Sequence, residues 1–378
     1  MKARTEAILL AGVFLTGVAT AILGAALPVL QLRYAVSDAE LGRLFAAQFA
    51  GSALAATASQ RHPRFSLVMG FQLIAIGAAA AAFAPWHYAA ISVFIYGVGL
   101  GFSIPAANMA IAHARQATRG ASLNILNLAW GVGAAATPLL LLAATTTRAL
   151  ATVYLAMATC AEVVAILLLL FLEKPAPAPI SDRIVAGGFD PAILLHALRF
   201  LLYVGAESCV GGWTAEYVFR TFGGQRLATL AIAGFWIALL AGRAVAPALL
   251  RRWREPVLLR ASLTAAVLGV VAMFLAPSAL MVVAASCLAG LGMAPVFALQ
   301  LSVATAYAEA LHRKIPGWLF TCAAIGGVSM PWAFGELAQR TLSLRNGLLL
   351  PIVALLVLLT LNLRQTTGLR QDTPSGAR

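Results

Sequence analysis

Twelve apolar stretches, each long enough to cross a bilayer as a helix, run through this chain of 378 residues. A membrane-spanning helix needs about 20 apolar residues, and the connections between these stretches are short. Only 10% of the residues are charged, whereas a soluble domain carries roughly 25%. The sequence therefore predicts an all-α integral membrane protein with twelve transmembrane helices, and it excludes a soluble globular domain.

The first six stretches are echoed by the last six at an offset of about 191 residues. The matched pairs are Gly51 with Gly242, Gly99 with Gly290, and Gly101 with Gly292. The spacing from Gly133 to Pro138 also recurs from Gly326 to Pro331. Membrane chains built from two like halves hold their substrate site between the halves. The repeat thus predicts two pseudo-symmetric six-helix bundles and a secondary carrier.

A change in composition separates the two halves. Residues 173–189 are Pro-rich and polar, which is typical of a linker. We predict an N-terminal six-helix bundle over 1–172, a cytoplasmic linker over 173–189, a C-terminal six-helix bundle over 190–364 and a cytoplasmic tail over 365–378.

The net charge of +13 comes mainly from arginines in alternate connections. Basic residues concentrate on the side that holds both termini, for example Arg61, Arg64, Arg115 and Arg251. Cytoplasmic loops of membrane proteins carry this excess of Lys and Arg. We therefore predict cytoplasmic termini in a multi-pass protein of a cell membrane, with a bacterial inner membrane expected, and no nucleic-acid partner.

Enzyme chemistry lacks a sequence signal here. The four cysteines fall inside apolar stretches without metal-ligand spacing. No nucleophile–base pair or phosphate-binding Gly-Lys motif is present. We predict no catalytic residues, no metal and no cofactor, and a chain that is not an enzyme.

The 6+6 layout with a central linker resembles the major facilitator superfamily over nearly the whole chain. The loop after span 2 carries a Gly-x-x-x-Asp-Arg-x-Gly-Arg-type motif in that family, and here it has decayed to Gln60–Arg64. The second half has Gly242-Arg243 and Arg251-Arg252 in the corresponding region.

Span 7 narrows the resemblance. Its segment Leu201–Trp213 resembles the Tyr-Val-Gly-Ala-Glu signature of the fucose/glucose/galactose permease-like branch, a group of sugar:cation symporters. Supporting matches are Ala106–Asn108, Leu123–Asn127, Gly234–Trp236, Gly292–Pro295 and Gly326–Gly335. Span 1 departs from the branch because it has no acid beyond Glu6.

The resemblance implies alternating access, with a sugar or similar small polar solute moved together with H⁺ or Na⁺. An exporter of amphipathic molecules is the alternative, although the many Asn and Gln residues in the spans argue against its more apolar cavity. A monomer is sufficient for either mechanism, and the lipid bilayer is the other partner.

Glu207 is the predicted ion-coupling residue. Charged groups at membrane depth cost about 2.5–3.5 kcal/mol on insertion scales, so they are functional candidates. A buried carboxylate that binds and releases a proton would bias the carrier between its two states; hydrogen bonding to a neighbouring helix is the other interpretation. Arg199, Glu162 and Arg243 are predicted gating or structural charges, with Glu162 a candidate partner for Arg199.

A sugar site needs amides for the hydroxyl groups and an aromatic face for the ring. The spans supply both kinds of group, and buried amides without partners are costly. Helix–helix hydrogen bonding is the alternative role for these amides. The predicted substrate-binding residues are Gln48, Asn108, Asn127, Trp130, Tyr203, Trp213, Trp236, Gln300 and Trp332.

Overall fold

The computed structural model describes residues 3–59, 62–115, 119–142, 146–172, 191–310 and 318–368. These residues form fourteen α-helices and no strand. The first half contains α1 (Ala3–Tyr34), α2 (Asp38–Ala58), α3 (Pro63–Phe83), α4 (Trp86–Ala114), α5 (Arg119–Leu141) and α6 (Thr147–Phe171). The second half contains α7 (Pro191–Phe222), α8 (Gln225–Leu249), α9 (Glu255–Leu275), α10 (Ala279–Met293), α11 (Val296–Ala310), α12 (Trp318–Thr341), α13 (Leu344–Gly347) and α14 (Leu349–Gly368).

The fourteen helices make twelve spans. Helices α10 and α11 form one span that is interrupted at Ala294-Pro295, because proline removes a backbone donor and its ring clashes with the preceding turn. Helices α13 and α14 likewise form one span. The predicted all-α fold with twelve transmembrane helices is confirmed. The predicted linker 173–189 lies outside the described residues, and the predicted tail 365–378 begins inside α14.

Local sequence signals explain several helix starts. Ser37 caps α2 in a capping box with Glu40, and Thr146 and Ser278 accept from backbone amides at the starts of α6 and α10. Pro63 occupies the first turn of α3, where its missing N–H has no helical acceptor to lose.

Ten of the twelve spans are long and apolar enough to cross a membrane by length and composition. The other two are α2 and α12, which pack closely against each other across the two halves. Each has acidic or basic side chains near its end, among them Asp38 and Arg340. These helices are less apolar because protein, rather than lipid, covers much of their surface.

Glycines allow the helices of each half to approach closely, and they correct the register of the repeat. An added Cβ on Gly99 would lie 2.6 Å from the Gly70 carbonyl oxygen of α3. Gly292 makes the equivalent contact with Ala266 of α9, whereas Gly290 packs on α8. The partner of Gly99 is therefore Gly292 rather than Gly290, and the offset in this region is two residues longer than the matched glycines predicted.

The helix ends define two opposite faces of the molecule. The terminal face is where α1 begins at Ala3 and α14 ends at Gly368, and the distal face is where α1 ends at Tyr34 and α7 ends at Phe222. The halves meet through α1 with α7, α2 with α12, and α5 with α8. Within the described residues, α4 and α11 make no comparable contact.

Candidate functional site

A cavity of about 630 Å³ lies between the two halves. The first half lines it with α1, α2, α4 and α5, and the second half lines it with α7, α8, α11 and the break at Ala294-Pro295. It reaches residues near the terminal ends of their helices, including Asn124, Leu250 and Leu301. The cavity therefore extends from the centre of the molecule toward the terminal face, and most of its walls are apolar.

Glu207 and Arg243 are the charged residues of this lining. An Nη atom of Arg243 donates to Oε1 of Glu207 at 3.2 Å, which joins α7 to α8. The Glu207 side chain is 15% exposed and the Arg243 side chain is 26% exposed. Each charge therefore has its counter-charge at membrane depth, which lowers the cost of placing either one there. Arg243 lies inside α8, and not in the loop after it.

Aromatic rings surround the ion pair. The Arg243 guanidinium carbon lies 5.5 Å from the centroid of the Trp130 ring, a cation–π contact made across the two halves. Trp130 also meets Trp236 edge to face, with ring centroids 5.9 Å apart. The Tyr203 hydroxyl, which donates to the Met293 carbonyl at 2.8 Å, lies beside both charged groups.

Neutral amides line the half of the cavity that faces the ion pair. Gln48 is fixed by two contacts, since it donates to the Thr20 carbonyl and accepts from the Tyr96 hydroxyl, both at 3.2 Å. Asn108 donates to a carbonyl of its own helix at 2.9 Å. The Asn124 and Asn127 side chains line the cavity as exposed residues. Donors and acceptors therefore remain accessible on α4 and α5.

Of the predicted substrate-binding residues, the structure brings Gln48, Asn108, Asn127, Trp130 and Trp236 to the cavity, together with the ion-coupling candidate Glu207. The indole N–H of Trp236 is buried and has no acceptor among the described residues.

The other four predicted positions lie apart from the cavity lining. Tyr203 is fully buried behind the ion pair. Trp213 is fully buried as well, where it stacks on Phe334 and donates to the Pro331 carbonyl. Trp332 is 43% exposed and its backbone packs against Gly42 of α2.

Gln300 is buried, and neither its amide nitrogen nor its amide oxygen has a partner in the described part of the chain. After the break at Pro295, α11 turns Phe297, Ala298 and Leu301 toward the cavity. Gln300 therefore lies outside the cavity lining, whereas Asn108 of α4 belongs to it.

Arg199 and Glu162 are not brought together. Arg199 is 2% exposed and donates to the Leu361 carbonyl of α14 at 3.0 Å. No described carboxylate lies within ion-pair distance of it. Glu162 is half-buried on α6 in the other half, so it does not supply the counter-charge that the sequence suggested.

The distal face is closed. Asp38 of α2 forms an ion pair with Arg220 of α7, and its backbone N–H donates to Gln339 of α12 at 3.1 Å. Near the centre, an added Cβ on Gly24 would lie 2.6 Å from the Gly211 carbonyl oxygen of α7. These contacts join the halves on the distal side of the cavity, so the described part of the chain leaves the cavity open toward the terminal face.

Two contacts between charged residues of different helices were missing from the sequence-based predictions. The pairing of Glu207 with Arg243 joins residues on different helices that no spacing rule relates. The Asp38–Arg220 pair joins the two halves, and it was missed because Arg220 has a nearer candidate, Glu216, one turn earlier on α7. A search for opposite charges at helix ends on the same face of the membrane would have suggested the Asp38–Arg220 pair.

Two six-span halves, related by pseudo-symmetry and closed on one side of a central cavity, define the class of alternating-access carriers. The chain belongs to the Major Facilitator Superfamily, whose family model matches residues 9–331. The predicted family is thereby confirmed, and with it the prediction that the chain is a transporter and not an enzyme. No curated protein matches the chain significantly.

Solved structures share the fold at low identity. A bacterial homolog of the human lysosomal transporter Spinster, in an inward-facing and unoccupied conformation, gives a TM-score of 0.77 at 15% identity, covering 100% of both chains. The xylose transporter XylE from E. coli, in an inward open conformation, gives 0.73 at 14% identity, covering 93% of this chain and 94% of that chain. The E. coli fucose:proton symporter FucP gives 0.63 at 19% identity, covering 95% and 98%.

Proposed function

We propose that this chain is a proton-coupled symporter of a small hydroxylated solute of sugar type, working by alternating access. The observation that carries the proposal is the Glu207–Arg243 pair in the wall of the central cavity. Binding of a proton to Glu207 would break this pair and change the charge that the cavity presents. A carrier couples two fluxes when one bound species changes the affinity for the other.

The neutral part of the cavity suits a hydroxylated cargo. Asn108, Asn127 and Gln48 offer amide donors and acceptors, and Trp130 offers an aromatic face for the apolar side of a ring. FucP, which shares the fold, is a fucose:proton symporter. This likeness in fold supports H⁺ over Na⁺ as the coupling ion.

We propose that the chain lies in a bacterial inner membrane with both termini in the cytoplasm. Arg64, Arg115 and Arg251 lie at helix ends of the terminal face, as expected for a cytoplasmic surface. The cavity would then be open to the cytoplasm in this conformation. We also propose that residues 1–172 and 190–364 move as two bundles joined by 173–189, and that a monomer is sufficient for transport.

The test is uptake of labelled D-glucose, D-xylose and L-fucose into proteoliposomes that contain the purified chain. An inward H⁺ gradient should drive accumulation above equilibrium, and an inward Na⁺ gradient should not. Accumulation under the Na⁺ gradient alone would show that the coupling ion is Na⁺ rather than H⁺. Outward movement of amphipathic dyes, with no uptake of any polar solute, would instead support an exporter.

A further inference from the structure

The charge balance of the cavity points to a narrower class of cargo. Among the described residues that line the cavity, Glu207 supplies the one negative charge and Arg243 supplies the one positive charge. Their 3.2 Å contact makes the cavity neutral while both are ionised. Any step that neutralises Glu207 therefore leaves one uncompensated cation in a mostly apolar cavity.

The arginine keeps hydrogen-bonding capacity in the pair. Its contact with Glu207 joins one Nη atom to one carboxylate oxygen, whereas a guanidinium has five N–H donors in a planar fork. The side chain is 26% exposed to the cavity. A second carboxylate could therefore bind Arg243 in the bidentate geometry that arginine favours.

The residues around Arg243 determine what the arginine contacts when its ion pair with Glu207 breaks. The Trp130 ring faces the guanidinium from the other half of the molecule. Glu207 is the one carboxylate in the described cavity lining and the one described ion-pair partner of Arg243. Tyr203 is the other titratable group beside the pair, so the described residues offer no second carboxylate to neutralise Arg243. A buried charge that loses its partner is strongly destabilising, and an anionic cargo would remove that cost.

We infer that the cargo is a hydroxylated monocarboxylate of sugar-acid type, whose carboxylate binds Arg243 when Glu207 binds a proton. The inference rests on the proposed proton-coupled transport. One proton and one carboxylate enter together, so the loaded cavity has the same net charge as the empty one. The amides of α4 and α5 then bind the hydroxyl groups, and the cavity of about 630 Å³ lies in the usual size range for small ligands.

The test measures binding to the purified full-length chain in lipid nanodiscs, through the fluorescence of the tryptophans beside Arg243. The probes are D-gluconate, D-glucuronate and D-galacturonate, with D-glucose, D-galactose and the methyl ester of glucuronic acid as neutral partners. The acids remain ionised at both about pH 6 and about pH 8. We expect at least one acid to bind tenfold or more tightly than its neutral partner, and more tightly at the lower pH.

Glu207→Gln is the decisive variant because it keeps the size and hydrogen bonding of the side chain and removes the competing charge. We expect it to bind the acid at about pH 8 as tightly as wild type binds at about pH 6, without pH dependence. A purely structural Glu207 would give weaker or unchanged binding on substitution. Arg243→Gln should lose the preference for the acid, Arg243→Lys should keep part of it, and Glu162→Gln should behave as wild type.

Equal binding of every acid and its neutral partner would overturn the inference, as would weaker acid binding in Glu207→Gln. Gradient-driven uptake in proteoliposomes tests the proposed function separately. Proton-driven uptake of a neutral sugar, with no acid preference, would leave the proposed function standing and reject the acidic cargo. Acid binding that depends on Arg243, with no response to a proton gradient, would support the cargo class and reject proton coupling.

Discussion

The two halves of this carrier share a backbone design and differ in chemistry. Gly99 and Gly292 make equivalent helix crossings in the first and second halves, yet the cavity wall of the first half holds neutral amides and that of the second half holds the ion pair. The polar α1 residue of the first-half wall is the neutral Thr20, whose hydroxyl donates to the Thr16 carbonyl of its own helix at 2.8 Å. Packing is thus duplicated, while charge is confined to the half in which α7 and α8 bring both partners together.

The largest effect is expected from Glu207→Gln. The variant should lose gradient-driven accumulation and keep exchange of cargo across the membrane, because the substitution removes the proposed proton-binding group while the cavity keeps its shape. The measurement compares uphill uptake with counterflow in proteoliposomes. Glu162→Gln, the same substitution of an acidic residue in the other half, is the matched control. Uphill uptake at the wild-type level in Glu207→Gln, at every pH tested, would reject the coupling role.

The shared design can be broken at Gly99 and Gly292. Replacement of either by Val should destabilise the protein by about 1–3 kcal/mol, the usual cost of overpacking a close contact, since backbone atoms of α3 or α9 occupy the space. Thermal unfolding of the detergent-solubilised chain should show similar losses for the two variants. Gly131→Ala is the control because its Cβ would meet the end of the flexible Leu240 side chain. A loss confined to one half would contradict equivalent packing.

The closed distal face and the open terminal face can be separated with Asp38→Asn. A hydrogen bond to a charged group contributes about 1.5–3 kcal/mol, so loss of the Asp38–Arg220 pair should raise distal opening by about tenfold or more. Labelling of Ser208→Cys, a cavity position, by a reagent applied to the distal side should become correspondingly faster.

The control for the distal contact is Glu336→Gln, which removes an i,i+4 contact of 3.9 Å with the 80% exposed Arg340. An exposed pair of this kind contributes little, and it lies within one helix, so it does not join the halves. Equal labelling rates for Asp38→Asn and wild type would show that the ion pair does not hold the distal face closed.

The smallest effects are expected from single amides, and they contrast the halves again. Asn127→Ala should raise the KM for the transported solute about three- to tenfold, because one hydrogen bond contributes about 0.5–1.5 kcal/mol. Gln300→Leu should leave the KM unchanged and should not destabilise the fold, since its buried amide has no partner in the described residues. An increase in KM for Gln300→Leu, with no change for Asn127→Ala, would place the solute contact at Gln300 rather than at Asn127.

The sequence predicted the spans and their number because burial in lipid demands long apolar helices whose backbone hydrogen bonds are internal. It also identified Glu207, because an acid in the middle of an apolar span is conspicuous. Gln48, Asn108 and Trp130 were chosen for their chemistry alone, and the structure places them at the cavity. Trp213 and Gln300 were chosen in the same way, and the structure buries them elsewhere, because composition does not say which side of a helix faces the partner half.

By itself, then, the sequence determined the membrane environment, the twelve-span fold and the duplicated halves, which follow from hydrophobic length and repeated glycines. The family was predicted from a resemblance in layout and motifs, such as the segment Leu201–Trp213. Only the tertiary structure decided that Glu207 pairs with Arg243, that Trp130 reaches this pair from the other half, and that Asp38 and Arg220 close the distal face. Each of these contacts joins different helices, and their rotation and crossing depend on packing over the whole interface. Local spacing along the chain contains no such information.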